Sequence, residues 1–396
     1  MSREYKAGDT LTVKIERIVP RGLGIAFAEG LTVFVALAAV GDTVEVRLME
    51  VRGSTAFAEI EAVIEPGPER IEPPCPYFGV CGGCDFQQLS YAAQLRAKSE
   101  IIRDCLNRIA KYDHPGEIIV EPSPAEFGYR LRAQWHAEPE NGKLGYYQRN
   151  SRDLVDIDRC LVISDELQRV MDSVRGELPD LPASGGRALQ IDAAIGSDGT
   201  GSVYSAGVYS PPGEIEFEAA GERFTFSAGS FFQGNRFLVS KLVEMAIAGY
   251  EGQTALDLYC GVGLFALPLA RKFGRVVGVE ENGSAIHYAR HNAKSAGLSN
   301  TEFHTSRVRD FLAGFNGEID LALLDPPRAG TEKETMMRLI ELRPRHVVYV
   351  ACEPSILARD LKRFLENGYA IERIQALDLF PQTHHVETIV HLSSSA

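Results

Sequence analysis

Between residues 5 and 64 apolar and polar positions alternate in short runs: Thr10 to Ile15, Gly24 to Ala28, Leu31 to Val35, Thr43 to Glu50 and Ala56 to Val63. A two-residue period turns one face of each run toward a core and leaves the other wet. Turn residues Gly22, Gly30, Gly41-Asp42 and Gly53 fall between the runs. About five short strands at this spacing predict a small barrel or sandwich. The prolines of Glu65-Pro66-Gly67-Pro68 and Pro73-Pro74 then interrupt any ladder, which marks 65–74 as a linker.

The pattern is mixed from Cys75 to about residue 225. Apolar residues Leu95, Ile101, Ile102, Cys105, Leu106 and Ile109 recur at helical spacing over Ser90 to Lys111, with Ser90 placed to cap the first turn. Strands are expected around Arg130 to His136, Lys143 to Tyr147, Leu154 to Ile157, Ala188 to Ala194 and Ser202 to Tyr209. From Phe226 onward apolar strands alternate with helical segments: Thr254 to Leu258, Val276 to Val279, Thr301 to His304, Leu321 to Leu324, His346 to Val350 and Ala370 to Asp378, closed by Glu387 to Leu392. That alternation predicts an α/β, doubly wound and mainly parallel sheet.

At 396 residues the chain has room for two or three domains, each with its own core. Its 45% apolar and 24% charged residues are ordinary for a globular protein. The net charge of −13 excludes a uniformly basic body that holds nucleic acid by charge alone, so any such site must be a local patch. Leu31 to Val40 falls far short of the roughly 20 apolar residues that span a bilayer. No membrane partner is therefore expected. The start, Met1 to Tyr5, has no apolar leader core, so a cytoplasmic location is expected and the seven cysteines are read as thiols.

Candidate chemistry collects at the strand ends of the C-terminal half. Asp257-Leu258-Tyr259-Cys260-Gly261-Val262-Gly263-Leu264 follows the first strand, and its glycines allow a tight turn and close backbone approach to a ligand. Glu280 ends the next strand, where a carboxylate can accept from two ribose hydroxyls. These features describe a nucleoside-cofactor site but do not separate a nicotinamide cofactor from S-adenosylmethionine. Asp325-Pro326-Pro327-Arg328 and Ala351-Cys352-Glu353-Pro354 end two later strands, so Asp325 and Cys352 should face the same crevice. A cysteine just ahead of a helix is favoured as thiolate, which makes Cys352 a candidate nucleophile. In Phe380-Pro381-Gln382-Thr383-His384-His385-Val386-Glu387 the adjacent histidines, read as strand residues, point to opposite faces and disfavour a two-histidine metal site.

Five motifs taken in order resemble the RNA uracil-5-methyltransferase family: Phe226 to Asn235, Asp257 to Gly263, Asp325 to Arg328, Cys352-Glu353-Pro354 and Phe380 to Glu387. The resemblance implies a Rossmann-like S-adenosylmethionine-dependent methyltransferase domain over 226–396. It implies Cys352 as the nucleophile that adds to carbon 6 of uracil and Glu387 as the base that removes the carbon-5 proton. It also places Gln233, Tyr259, Gly261, Gly263, Leu264, Glu280 and Asp325 around the cofactor. The residue after the nucleophile is often Asn in this family and is Glu353 here; its carboxylate is expected to point away from Cys352.

Cys75, Cys81 and Cys84 lie close together among glycines, and Cys160 follows after a long insertion. Four thiolates suit either zinc or a 4Fe-4S cluster. The spacing does not match the three-cysteine radical type of S-adenosylmethionine enzyme. Iron-sulfur members of the resembled family carry this arrangement, so the resemblance implies a 4Fe-4S cluster in a central α+β domain over 75–225. Residues 1–64 resemble the OB-like TRAM β-barrel that holds RNA. Arginines and aromatics over Tyr129 to His136, Lys143 to Tyr147 and Arg149 to Arg152 suit phosphate pairing and base stacking. The expected partner is RNA, with 23S rRNA favoured and tRNA the alternative, and the chain is expected to act as a monomer. A nicotinamide-dependent oxidoreductase and a noncatalytic RNA-binding protein are the competing readings, and neither accounts for Cys352 and Glu387 together.

Overall fold

The computed structural model describes residues 5–394; Met1 to Glu4, on which the reading for a leader partly rests, and residues 395–396 lie outside the described residues. Six strands, Thr10–Lys14, Arg17–Val19, Leu23–Ala28, Leu31–Val35, Thr43–Arg52 and Thr55–Glu65, form the N-terminal sheet. The strand beyond the expected five, Arg17–Val19, is only three residues long, too short to show a period. Inward Val13, Val33, Val35, Val44, Val46 and Leu48 give this sheet its own core.

The middle of the chain supplies a second, antiparallel sheet, ordered Leu154–Asp156, Lys143–Tyr147, Arg132–Glu138, Leu189–Ile195 and Gly201–Tyr204. The last of these ends sooner than expected, because the chain turns back and Tyr209 N-H donates to Ser205 O at 3.0 Å. Trp135 is fully buried under this sheet and donates to Tyr146 Oη.

The C-terminal sheet contains β1 (Gly252–Leu258), β2 (Phe273–Glu280), β3 (Thr301–Thr305), β4 (Leu321–Leu324), β5 (His346–Ala351), β6 (Tyr369–Leu377) and β7 (Glu387–Ser394). Their order is β3-β2-β1-β4-β5-β7-β6, with Val120–Glu121 added beside β6. Every neighbouring pair is parallel except those made by β7, which runs antiparallel to both β5 and β6. Strands β4 and β5 are buried almost throughout, as expected where helices cover both faces.

The helix α1 (Tyr91–Cys105) starts at the expected cap, Ser90 Oγ accepting from Ala93 N-H. Its position differs from the expected division at 75–225. Ala97, Ile101, Ile102 and Cys105 pack into the same core as Val347, Tyr349, Leu361 and Val390 of the C-terminal sheet and its helices. Residues 91–121 thus help to build the C-terminal half, which sequence order alone did not reveal. At the centre of this contact Lys98 and Asp378 form an ion pair with both side chains fully buried, and Lys98 Nζ also donates to Phe380 O at 3.0 Å. No helix of the described residues is long and apolar enough to cross a membrane.

Removing one partner of a buried pair leaves an uncompensated charge. Lys98→Met is expected to lower unfolding free energy by about 3–5 kcal/mol, read from urea denaturation. A loss below about 1 kcal/mol, the scale of an exposed pair, would mean that the pair does not hold this contact together.

Candidate active site

The ends of β1, β4 and β5 and the start of β7 meet at one edge. Leu258 pairs with Leu324, Leu324 with Tyr349, and Ala351 with Thr388. The residues that follow these strands, Tyr259, Asp325 and Cys352, are thereby brought together with Glu387, which opens β7. Asp325 N-H donates to Leu258 O at 3.3 Å, and Gln233 Nε2 donates to Asp325 Oδ2 at 3.4 Å. Gln233 comes from the loop after the hairpin Glu214–Ala219 and Glu222–Ser227. Its neighbour Asn235 is fully buried, with Nδ2 donating to Ser123 Oγ at 3.1 Å.

The glycine turn is tight, with positive φ at three positions. Tyr259, Gly261 and Gly263 have φ of 66°, 53° and 95°. The φ of Gly263 favours glycine there, and a Cβ would also lie 2.8 Å from Leu267 Cδ1. Glu280 sits beside the turn, accepting from Gly261 N-H at 3.3 Å and Asn282 N-H at 2.9 Å. The Leu264 side chain is buried in the core with Phe265 and Leu267. The following helix is only Ala266–Ala270, shorter than the alternation suggested.

The electrostatics of this edge are unusual. Burial lifts Asp325 to about 7, against one opposing hydrogen bond from Gln233. Burial, reinforced by Asp325, raises Glu387 well above the carboxylate range, and Arg328 pulls it back. Asp257, fully buried at the end of β1, is raised for the same reasons; the sequence reading gave it no role because its burial could not be read from the motif. Cys352 is pushed up to about 12 by burial and then by Glu387, with Arg328 opposing. The expected thiolate-favouring effect of the following helix α2 (Pro354–Glu366) is thus outweighed at rest. Arg328, in the same motif as Asp325, is a functional group with no role in the sequence analysis; among the described residues it is a cation that acts on both Cys352 and Glu387.

Glu353 accepts from Ser355 Oγ at 2.8 Å, and its other oxygen lies 3.7 Å from His385 Nδ1. It is not among the charges acting on Cys352. The expectation for the histidines is corrected. Phe380 to Val386 is a loop, not a strand, so the rings of His384 and His385 lie together with centroids 4.2 Å apart. With Glu353 they form the only grouping of three potential metal ligands with atoms within 4.8 Å of one another found among the described residues. Burial, then the charge of His384, pulls His385 down to about 2.

Cys75, Cys81, Cys84 and Cys160 all line one cavity of about 300 Å³, together with Tyr77 and Arg130. All four are free thiols. Burial raises Cys75, Cys81 and Cys84, and the charge of Cys160 adds to the rise in each. Gly83 N-H donates to Cys81 Sγ at 3.4 Å, a bond that favours sulfur carrying negative charge. A Cβ on Gly82 would lie 3.0 Å from Tyr147 O, a tight approach to backbone that favours glycine there. The four thiols that line this cavity are soft donors of the kind a thiophilic inorganic centre takes. By contrast, the arginine stretch is partly internal: Arg132 donates to Ser230 O and Ala228 O, and Arg130 Nε donates to Arg132 O at 2.8 Å.

Comparison with known proteins agrees with this edge. Residues 215–395 match the family model of tRNA (Uracil-5-)-methyltransferase, and residues 5–60 match the TRAM domain. The 23S rRNA (uracil(1939)-C(5))-methyltransferase RlmD of Shewanella amazonensis is 33% identical, covering 96% of this chain and 95% of that protein. An uncharacterized RNA methyltransferase of Thermotoga maritima is 32% identical over 96% of this chain and 98% of its own length. The Pyrococcus abyssi tRNA (uracil-54, C5)-methyltransferase, solved with S-adenosyl-L-homocysteine, superimposes with a TM-score of 0.75 at 25% identity, covering 96% of this chain and 99% of that one. The sheet and its edge are those of an S-adenosylmethionine-dependent methyltransferase. The chain belongs to the RNA uracil-5-methyltransferase family.

The charges around Cys352 make a directional prediction. Glu387→Gln removes a carboxylate that raises the thiol, so the midpoint of its alkylation with pH should fall; Arg328→Ala removes an opposing cation, so the midpoint should rise. Iodoacetamide rates for the Cys352 peptide by mass spectrometry report both, and shifts in the same direction would contradict the arrangement.

Proposed function

We propose that this protein transfers the methyl group of S-adenosylmethionine to carbon 5 of a specific uridine in 23S rRNA through a covalent adduct between Cys352 and carbon 6. The observation that carries this reading is the pairing of Ala351 with Thr388, which puts Cys352 and Glu387 side by side at the cofactor edge. A uracil ring has no nucleophilic carbon 5 until a thiolate adds at carbon 6. The sulfur-carbon bond forms, charge moves onto the carbonyl oxygen as an enolate, and carbon 5 attacks the methyl, releasing S-adenosylhomocysteine. Glu387 then takes the carbon-5 proton, and loss of the sulfur regenerates the thiolate. Removing the carbon-5 proton needs a base beside the ring, and Glu387 is the carboxyl group that β7 brings next to Cys352.

In this reading Gln233 and Asp325 face the cofactor, with Tyr259, Gly261 and Gly263 shaping its turn, Leu264 supporting the turn from the core and Glu280 at the ribose. The N-terminal TRAM sheet grips RNA, and the target base leaves its stack to reach the thiol. The relatives named for 23S rRNA favour that substrate over tRNA. Cys75, Cys81, Cys84 and Cys160 would hold a 4Fe-4S cluster, whose part is to cross-link the cysteine loop to the distant Cys160 segment.

Labelled-methyl transfer to uracil-containing RNA tests the reaction. Cys352→Ala should abolish it and leave S-adenosylmethionine binding by calorimetry intact; turnover by that variant would end the covalent mechanism. Glu387→Gln should accumulate a denaturant-stable protein-RNA adduct. Mapping 5-methyluridine in cells lacking the protein should find one uridine unmodified in 23S rRNA; loss in tRNA instead would transfer the substrate assignment there.

Iron and sulfide analysis after anaerobic purification addresses the cysteines separately. Visible absorption and iron content are expected in the unaltered chain and should be lost in Cys84→Ser and Cys160→Ser alike. Zinc bound without sulfide would replace the cluster in this account.

A further inference from the structure

The residue that follows Cys84 is tied to the segment that leads into Glu387. Asp85 N-H and Phe86 N-H both donate to Gln382 O at 3.0 Å. In return His384 N-H donates to Asp85 Oδ1 at 2.7 Å, and His384 Nδ1 lies 2.5 Å from Asp85 Oδ2. Gln382 is held in the left-handed region, with φ of 70°, by a reciprocal pair with α1: Gln94 Nε2 donates to Gln382 Oε1, and Gln382 N-H donates to Gln94 Oε1. A non-glycine residue keeps such a conformation only where its surroundings over-determine it. His384 and His385 also line the cavity of the four cysteines. His385 faces Glu353, the neighbour of Cys352, and two residues further on stands Glu387.

We propose that Asp85 is a positioning residue that transmits the order of the cysteine loop to the base-bearing segment 382–387, so that the four-thiol site and the placement of Glu387 act as one unit. This rests on the reading of Glu387 as the base, but the contacts themselves do not. The methyl transfer requires a carboxylate aligned with one carbon-bound proton, and small displacements of such a group are costly. A loop stapled at Gln382 and His384 has little freedom left before Glu387. When the cysteine loop loosens, the staple at Asp85 is the first contact to go, while the glycine turn and Glu280 lie on other strands and keep their geometry.

The test uses the full-length chain and two independent readouts. Asp85→Ala should speed amide hydrogen exchange across 382–386 by about tenfold or more, with exchange over 257–264 unchanged, and should lower kcat for methyl transfer by about ten- to a hundredfold with KM for RNA nearly constant. Cys84→Ser should give the same exchange signature. Asp85→Glu should recover part of the exchange protection and of kcat, which a variant that merely misfolds would not do. Unchanged exchange over 382–386 in Asp85→Ala, or a change confined to KM, overturns the proposal. An unaltered chain that transfers no methyl group while 382–386 still responds to Asp85 would remove the reaction assigned above and leave the staple standing.

Discussion

The site depends on one antiparallel strand in an otherwise parallel sheet. Parallel strands present only their C-terminal ends at the ligand edge, so every residue delivered there follows a strand. Strand β7 runs the other way and presents its first residue, Glu387, at that same edge. Its register with β5 brings a carboxyl group next to the thiol that ends β5, and a slip of one residue would turn Glu387 to the other face. Much of the surrounding structure, including the Lys98-Asp378 pair and the bonds to Gln382 and His384, fixes the loop that sets this register.

The edge is assembled at an energetic cost. Asp257, Asp325 and Glu387 are all lifted by burial, and each lies near enough to raise at least one of the others or to be raised by it. Because their folded values exceed the unfolded ones, the folded chain binds protons more tightly. This contribution to stability is full below the ordinary carboxylate range and is lost as pH rises through the elevated values, about 7 for Asp325. The positive sulfonium of S-adenosylmethionine adds to Arg328 as a complement to the carboxyl groups gathered at this edge.

The α/β sheet was legible because fully buried strands such as Leu321–Leu324 and His346–Ala351 are short apolar runs bounded by turn residues. The convergence of Asp325 and Cys352 followed from strand-end position alone. What could not be read was anything carried by distant pairing. The helix Tyr91–Cys105 has an apolar face, but its period does not say which sheet it covers. The histidines at 384 and 385 were assigned to a strand by proximity to one, whereas Pro381 and the left-handed Gln382 hold them in a loop. The upward shift of Cys352 is not legible in the sequence, because its larger cause is burial and its second is Glu387 from another strand, whereas the local helix is visible.

The distribution of cores bears on how this architecture can be rearranged in evolution. The N-terminal sheet encloses its own apolar interior, and it also meets the rest through Ile18 and Ala39 in the core shared with α1, Arg17 with Asp104 and the close approach of Gly22 to His384. With an interior of its own it has the makings of a separable module. The cysteine segment does not, because the chain leaving it, residues 91–121, supplies a helix and an edge strand to the catalytic sheet. A lineage that abandoned the thiols would still have to retain the polypeptide that follows them.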